Sequence, residues 1–106
     1  MEKNQFQSDM LKALGHPTRL KVVKILSDKE QCVCELAPAL NTEQSNLSKH
    51  LSVLKKAGVL VSRKDGLKVI YAIKHFEIVA IVKILEDITK NEVSNLHKSL
   101  LGEEIK

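Results

Sequence analysis

The chain has no tryptophan, two phenylalanines and one tyrosine, so aromatic side chains make up only 3% of its 106 residues. So few rings leave the core to Leu, Ile and Val, and they argue against single-strand nucleic-acid binding on stacked aromatic platforms. Long apolar runs are also missing. The longest strictly apolar stretch, Ile78 to Val82, falls far short of the roughly 20 residues a membrane-spanning helix needs. The N-terminal MEKNQFQSDM mixes charges and amides where a signal peptide would carry an apolar core, so a cytoplasmic, non-membrane location is expected. With only four glycines there is no phosphate-cradling loop. Neither paired cleft carboxylates nor a nucleophile with a nearby base is visible, so no enzyme is expected. The two cysteines stand one residue apart. In a reducing compartment such a pair reads as free thiols, metal ligands or a redox pair rather than a structural staple.

What remains is one small domain, 43% apolar, with a formal net charge of +4. That charge is unevenly placed. Residues 1–41 carry a net +1, residues 42–74 carry seven basic against two acidic groups for +5, and residues 75–106 carry −2. A basic stripe confined to one segment is the footprint of a phosphate-binding surface, although any acidic partner would suit it equally.

Apolar spacing predicts a first helix over 5–14, from Phe6, Met10, Leu11 and Leu14, stopped at Gly15. A second, over 17–27, opens at Pro17 and buries Leu20, Val23 and Leu26 with the flanking Val22 and Ile25. His16 before it reads as a cap or packing residue, and Asp28-Lys29-Glu30 as a loop. Val33, Leu36, Ala37 and Leu40 then repeat at helical spacing, giving a short third helix over 33–40 that Pro38 must distort unless it lies early.

Thr42 reads as the N-cap of a fourth helix over 43–57, ended by Gly58. Leu47, Leu51 and Leu54 share one side. Gln44, Ser45, Ser48, Lys49, Ser52, Lys55 and Lys56 spread over the other, with no acid except Glu43 at the start. A generic amphipathic helix mixes both charge signs. This face instead offers amides and hydroxyls for base edges and lysines for phosphates, as a recognition helix in a major groove requires. His50, at the margin of the apolar stripe, reads as a scaffold residue. The β-rich runs within 59–73, Val59–Arg63 and Leu67–Ile73, flank Asp65-Gly66, a strong hairpin signal. A two-stranded hairpin needs the helices for support, and its basic tip, with Arg63, Lys64 and Lys68, would lie as a wing along DNA.

The last helix, over 75–100, is apolar nearly all round. Ile78, Ile81, Val82, Leu85 and Ile88 form one seam, and Phe76, Val79, Ala80 and Ile84 another. One seam can cover the domain's own core and the second then needs a partner, for which a second copy is the economical solution. Phe6, Met10, Ile78, Ile81, Val82, Leu85 and Ile88 are the expected dimerisation residues. A two-fold dimer would present its recognition helices to half-sites of a palindromic double-stranded operator, roughly 34 Å apart. The fold expected is therefore mainly α with a two-stranded β-hairpin, a homodimeric winged helix-turn-helix.

LGHPTRLKVVKIL, CVCELAPAL, TEQSNLSKHLSVLKKAGVL and the strand ending VIYAI, in this order, resemble the ArsR/SmtB family of dimeric winged-helix transcriptional repressors over about residues 8–90. The resemblance implies DNA contacts at Gln44, Ser45, Ser48 and Lys49, wing contacts at Arg63, Lys64 and Lys68, and an operator released when an inducer binds. CVCEL is similar to the arsenite-sensing branch, which implies Cys32 and Cys34 as thiolate ligands of trivalent arsenic or antimony. DNA binding itself would need no cofactor. A third cysteine often found three residues after CVC is Ala37 here, so a third ligand would come from outside the chain or the site would hold two sulfurs. Residues 1–31 lack the extra cysteines of cadmium and lead sensors. Of the carboxylate and histidine ligands that zinc-sensing relatives place on the last helix, only one histidine, His97, is present beside Asp87 and Glu92.

Residues i and i+2 of a regular helix point about 200° apart, so two thiolates there share an ion only if the helix starts late or its first turn unwinds. Alternatives stay open. Taken alone, the pair could be small buried hydrophobes. It could also make a redox- or sulfur-responsive repressor, or the fold could serve as a constitutive DNA-architectural or adaptor dimer with no inducer.

Overall fold

The computed structural model describes residues 1–102, so residues 103–106 of the expected 1–106 domain lie outside the described residues. Helix α1 (Lys3–Leu14) starts two residues ahead of the apolar pattern. The Glu2 carboxylate accepts the backbone N–H groups of Asn4 (2.9 Å) and Gln5 (2.6 Å), a cap that apolar spacing does not register. Helix α2 (Pro17–Asp28) has Pro17 at its first position and His16 as N-cap, with Nδ1 accepting the Thr18 N–H at 3.1 Å. That is the capping role expected of His16.

A two-residue strand, β1 (Gln31–Cys32), precedes α3 (Val33–Ala39). Pro38 is the sixth of seven residues in α3, and its missing N–H removes the i→i−4 bond that the Cys34 carbonyl would otherwise accept. The helix stops one residue later. The chain then turns through Asn41, at φ 51°, where the N–H of Asn41 bonds Pro38 O and that of Thr42 bonds Ala37 O, both at 3.1 Å. Helix α4 (Gln44–Lys56) begins one residue later than expected, and its N-cap is Glu43, not Thr42. The Thr42 hydroxyl is engaged elsewhere, accepting from the Asn46 side-chain amide at 3.1 Å.

Strands β2 (Leu60–Asp65) and β3 (Lys68–Ile73) form the expected hairpin, to which β1 adds an edge, giving the antiparallel order β1-β3-β2. Gln31 pairs with Tyr71 and Cys32 with Ile70. The hairpin loop is Gly66-Leu67, closed by the Asp65–Lys68 pair, one residue beyond the Asp65-Gly66 signal. Gly66 has φ +63°, and a loop of this kind places glycine at its first central position. Helix α5 (Glu77–Leu100) completes the chain.

One core unites these elements. Val22, Val23, Leu36, Leu47, Leu51, Leu54 and Val59 are fully enclosed, and Ile78 and Val82 of α5 close one side. These last two therefore belong to the chain's own core, and they correct the list of dimerisation residues. Met10 and Ile81 are half-buried against the core, whereas Phe6, Leu85 and Ile88 are exposed. An ion pair from Lys24 to Glu86 (2.5 Å) ties α2 to α5. Among the described residues no helix is long and apolar enough to cross a membrane.

Candidate nucleic-acid interface and its dithiol

Leu47, Leu51 and Leu54 anchor α4 in the core, so its opposite face must be outward. Gln44, Ser45, Ser48, Lys49, Ser52, Lys55 and Lys56 are all exposed along it. Their side chains supply donors and acceptors for base edges at the start of the helix and ammonium groups towards its end. Lys55 is not free-swinging, because its Nζ donates to Ser62 Oγ (2.7 Å) and so braces α4 against β2.

The wing carries Arg63, Lys64 and Lys68, all exposed. Arg63 also has an internal partner, since its Nη2 lies 2.6 Å from Glu30 Oε1 just ahead of β1. Nothing in the local pattern around Glu30, in what reads as a loop, signals this pairing, which depends on β1 joining the sheet. Leu67, at the loop tip, is fully solvent-exposed.

Behind α4 lies a second polar cluster. Arg19 donates through Nε to Ala13 O (2.6 Å) and approaches His50 Nδ1 with Nη1 at 3.3 Å. The His16 and His50 rings stand 4.6 Å apart, tilted by 43°. Burial, reinforced by the nearby His16 ring and the Arg19 guanidinium, pushes the His50 pKa below its usual value. His50 thus has the scaffold role expected of it, coupling the recognition helix to the α1–α2 corner.

The cysteine pair sits where sheet and helix-turn-helix meet. Cys32 is the last residue of β1 and the N-cap of α3, while Cys34 is the second residue of that helix. The helix therefore begins between them, and no unwinding is needed to bring the sulfurs together. They are joined as a disulfide, with Cα atoms 5.2 Å apart. Glu35 fixes this corner by accepting the Cys32 N–H at 3.1 Å. Cys32 is 1% exposed, whereas Cys34 faces solvent.

A groove of about 260 Å³ opens beside the pair. Cys32, Val33 and Cys34 form one wall, Gln44 and Ser48 of α4 a second, and Leu67, Lys68 and Val69 of the wing a third. The two sulfurs and three of the expected DNA-contacting side chains thus share one cavity. Among the described residues no group of three or more Cys, His, Asp or Glu is placed to hold a metal ion. In particular, Asp87, Glu92 and His97 do not form one.

Known proteins agree with this architecture. The profile described as "Bacterial regulatory protein, arsR family" matches residues 16–62, which run from the start of α2 into the wing. An uncharacterized HTH-type transcriptional regulator of Methanocaldococcus jannaschii is 36% identical over 89 residues, covering 83% of this chain and 100% of its own length. The transcriptional activator HlyU of Vibrio cholerae is 36% identical over 86 residues, 80% of each chain. The HlyU structure from that organism superimposes with a TM-score of 0.75 at 35% identity, covering 83% of this chain and 97% of its own. A homodimeric winged helix-turn-helix domain from Mycobacterium bovis gives a TM-score of 0.80 at 21% identity, over 86% of this chain and 84% of its own, and supports the fold. The exposed basic face of α4, the wing and these matches together place the chain in the ArsR family of winged helix-turn-helix transcriptional regulators.

Proposed function

We propose that the protein is a homodimeric repressor that holds a palindromic operator through α4 and the wing, and that the Cys32–Cys34 dithiol sets its release. The observation that carries this reading is the shared groove. A ligand on the reduced pair occupies space bounded by Gln44, Ser48 and Lys68, and it also bears on β1, α3 and the short turn into α4. A thiophilic trivalent ion, arsenic or antimony, is the inducer that suits two adjacent soft donors. The disulfide favours a second reading, in which oxidation of the same two thiols is the signal.

Release of a fluorescent operator fragment tests both. Reduced protein is titrated with arsenite, antimonite, cadmium, zinc and peroxide, alongside the Cys34→Ser variant. Release by arsenite and antimonite, lost in Cys34→Ser, supports the ion reading. Release by peroxide alone, reversed by a dithiol, supports the redox reading. Responses that are flat to all five reagents overturn the sensor role and leave DNA binding intact.

A further inference from the structure

We infer that the corner between α1, α2 and α4 is a separate ligand site, which takes a small monocarboxylate with an apolar body and so weakens the hold on the operator. A cavity of about 320 Å³ opens there, away from the cysteines, with Lys12, Arg19, Lys56 and Asp9 among its lining. Its floor is aliphatic, made by Ala13 of α1, Val53 of α4 and Ala57 at the α4 C-cap. Both the volume and this mixture of apolar floor and few charged groups are those of small-molecule sites. Three cations stand against one carboxylate.

Arg19 makes the corner more than a patch of surface lysines. Its Nε donates to Ala13 O at 2.6 Å and its Nη2 to Lys12 O at 3.4 Å, so the guanidinium caps the last turn of α1. Nη1 reaches His50 Nδ1 at 3.3 Å. Of the five N–H groups of a guanidinium, these partners use three and two remain, on a half-buried side chain held from three directions. A carboxylate, planar with two acceptor oxygens, matches such a fork. Asp9 does not fill that role, since its Oδ1 accepts from the Gln5 side-chain amide at 2.8 Å. Among the described residues the ion pairs are Lys24–Glu86 and Arg63–Glu30, so none of the three cations has an anionic partner within the chain.

The floor selects the rest of the ligand. Ala13 is enclosed, whereas Val53 is 41% exposed on an otherwise polar face of α4. A hydrocarbon body covers Val53 and buries apolar surface, while inorganic phosphate loses hydration against the floor and has its second charge repelled by Asp9. The consequence for DNA rests on the operator-binding reading above. Lys56 is one of the α4 cations expected on the DNA backbone, and a carboxylate bound to it withdraws one phosphate contact per subunit. Leu11, left exposed for a second copy, lies about 200° round α1 from Asp9 and Ala13, so a dimer contact there leaves the cavity open.

The test titrates the full chain with benzoate at constant ionic strength, with benzamide as the uncharged control and inorganic phosphate as the anion without an apolar body. Methyl NMR reads the site. Benzoate should shift the Ala13, Val53 and Ala57 methyls saturably, with both controls at least about tenfold weaker. Lys12→Gln, outside the DNA-contacting set, should weaken benzoate about fivefold and leave operator affinity without benzoate unchanged. Val53→Phe, which fills the floor, should abolish the shifts at both alanines, with circular dichroism reading the fold of each variant. Saturating benzoate should lower operator affinity about two- to tenfold and flatten the slope of log affinity against log salt by about one per subunit. No saturable shift at these methyls overturns the site, as does phosphate binding as tightly as benzoate or an undiminished affinity in Lys12→Gln. Benzoate binding with operator affinity unchanged overturns the effect on DNA. A chain that binds no operator even without benzoate overturns the operator-binding reading, and the methyl shifts then judge the carboxylate site by themselves.

Discussion

Arg63 has two possible anionic partners, and only one of them is inside the chain. Its ion pair with Glu30 joins two half-exposed side chains, a contact worth about 0–1 kcal/mol. A DNA phosphate would compete for the same guanidinium. Glu30→Gln should therefore raise operator affinity by about two- to fivefold at low salt, read by fluorescence anisotropy. Unchanged affinity would show that Arg63 does not reach the backbone. His50 gives a pH prediction of defined sign. Its Nδ1 accepts from Arg19, which requires the neutral ring, and its pKa is held below the usual value by burial first and then by its neighbours His16 and Arg19. Below the ordinary histidine pKa of about 6.5 the unfolded chain binds a proton that the folded chain resists, so this contribution is intact above that pH and is lost as pH falls through it. Thermal denaturation should accordingly show stability falling from pH 7 to pH 5.5, with a shallower slope in His50→Gln. An unaltered slope would assign the pH dependence to other groups.

At the scale of elements, Gly58 shows how one residue fixes the docking of two helices. Its φ is +84°, and a Cβ there would meet the Phe6 ring at 3.3 Å. Gly58→Ala combines left-handed strain with displacement of α1, and a loss of about 1–2 kcal/mol is expected, a fall in Tm of roughly 4–8 °C per kcal/mol. A variant that melts within a degree of the parent would mean that α1 yields freely. The helix stop at Gly58 was legible in the sequence because local chemistry sets it, and so were the hairpin and the outward face of α4, which follow from period and turn residues. Other features are set by partners distant in sequence. Strand β1 has two residues, too few for any alternation, and exists because Gln31 and Cys32 pair with Tyr71 and Ile70. The start of α3 between the two cysteines follows from that pairing, so the meeting of the sulfurs could be posed from spacing but not answered. The Thr42 cap was misplaced for a similar reason, since its hydroxyl had a competing donor in Asn46. Of the interface, the α4 and wing residues could be read directly. The Glu30 contact and the groove could not, because each is a product of the assembled sheet.

For the whole molecule, the two-seam reading of α5 resolves into a short buried patch and a long exposed one. The described structure measures 57 × 37 × 21 Å, and α5, at about 36 Å, is its longest element. Ile78 and Val82 seal the chain's own core, but Ile84, Leu85, Ile88, Val93 and Leu96 are left exposed on the same helix, with Leu11 exposed on α1. So much aliphatic surface on an 11.9 kDa chain is what a self-complementary two-fold interface would cover. The charge pattern fits this division of labour. The net +5 of residues 42–74 lies on α4 and the wing, whereas residues 75–106 are net acidic and largely form α5. If α5 joins two copies, a double substitution Ile84→Glu with Ile88→Glu should leave each domain folded, since neither side chain is buried, yet reduce the mass in solution from twice 11.9 kDa to 11.9 kDa. Light scattering reads the mass and circular dichroism the fold. Loss of the second recognition helix should then weaken binding to a palindromic operator on the order of a hundredfold and roughly halve the slope of log affinity against log salt, while binding to an isolated half-site persists. A double variant that stays dimeric would remove α5 from the interface, and one that is monomeric but binds the palindrome undiminished would mean that a single recognition helix carries operator affinity.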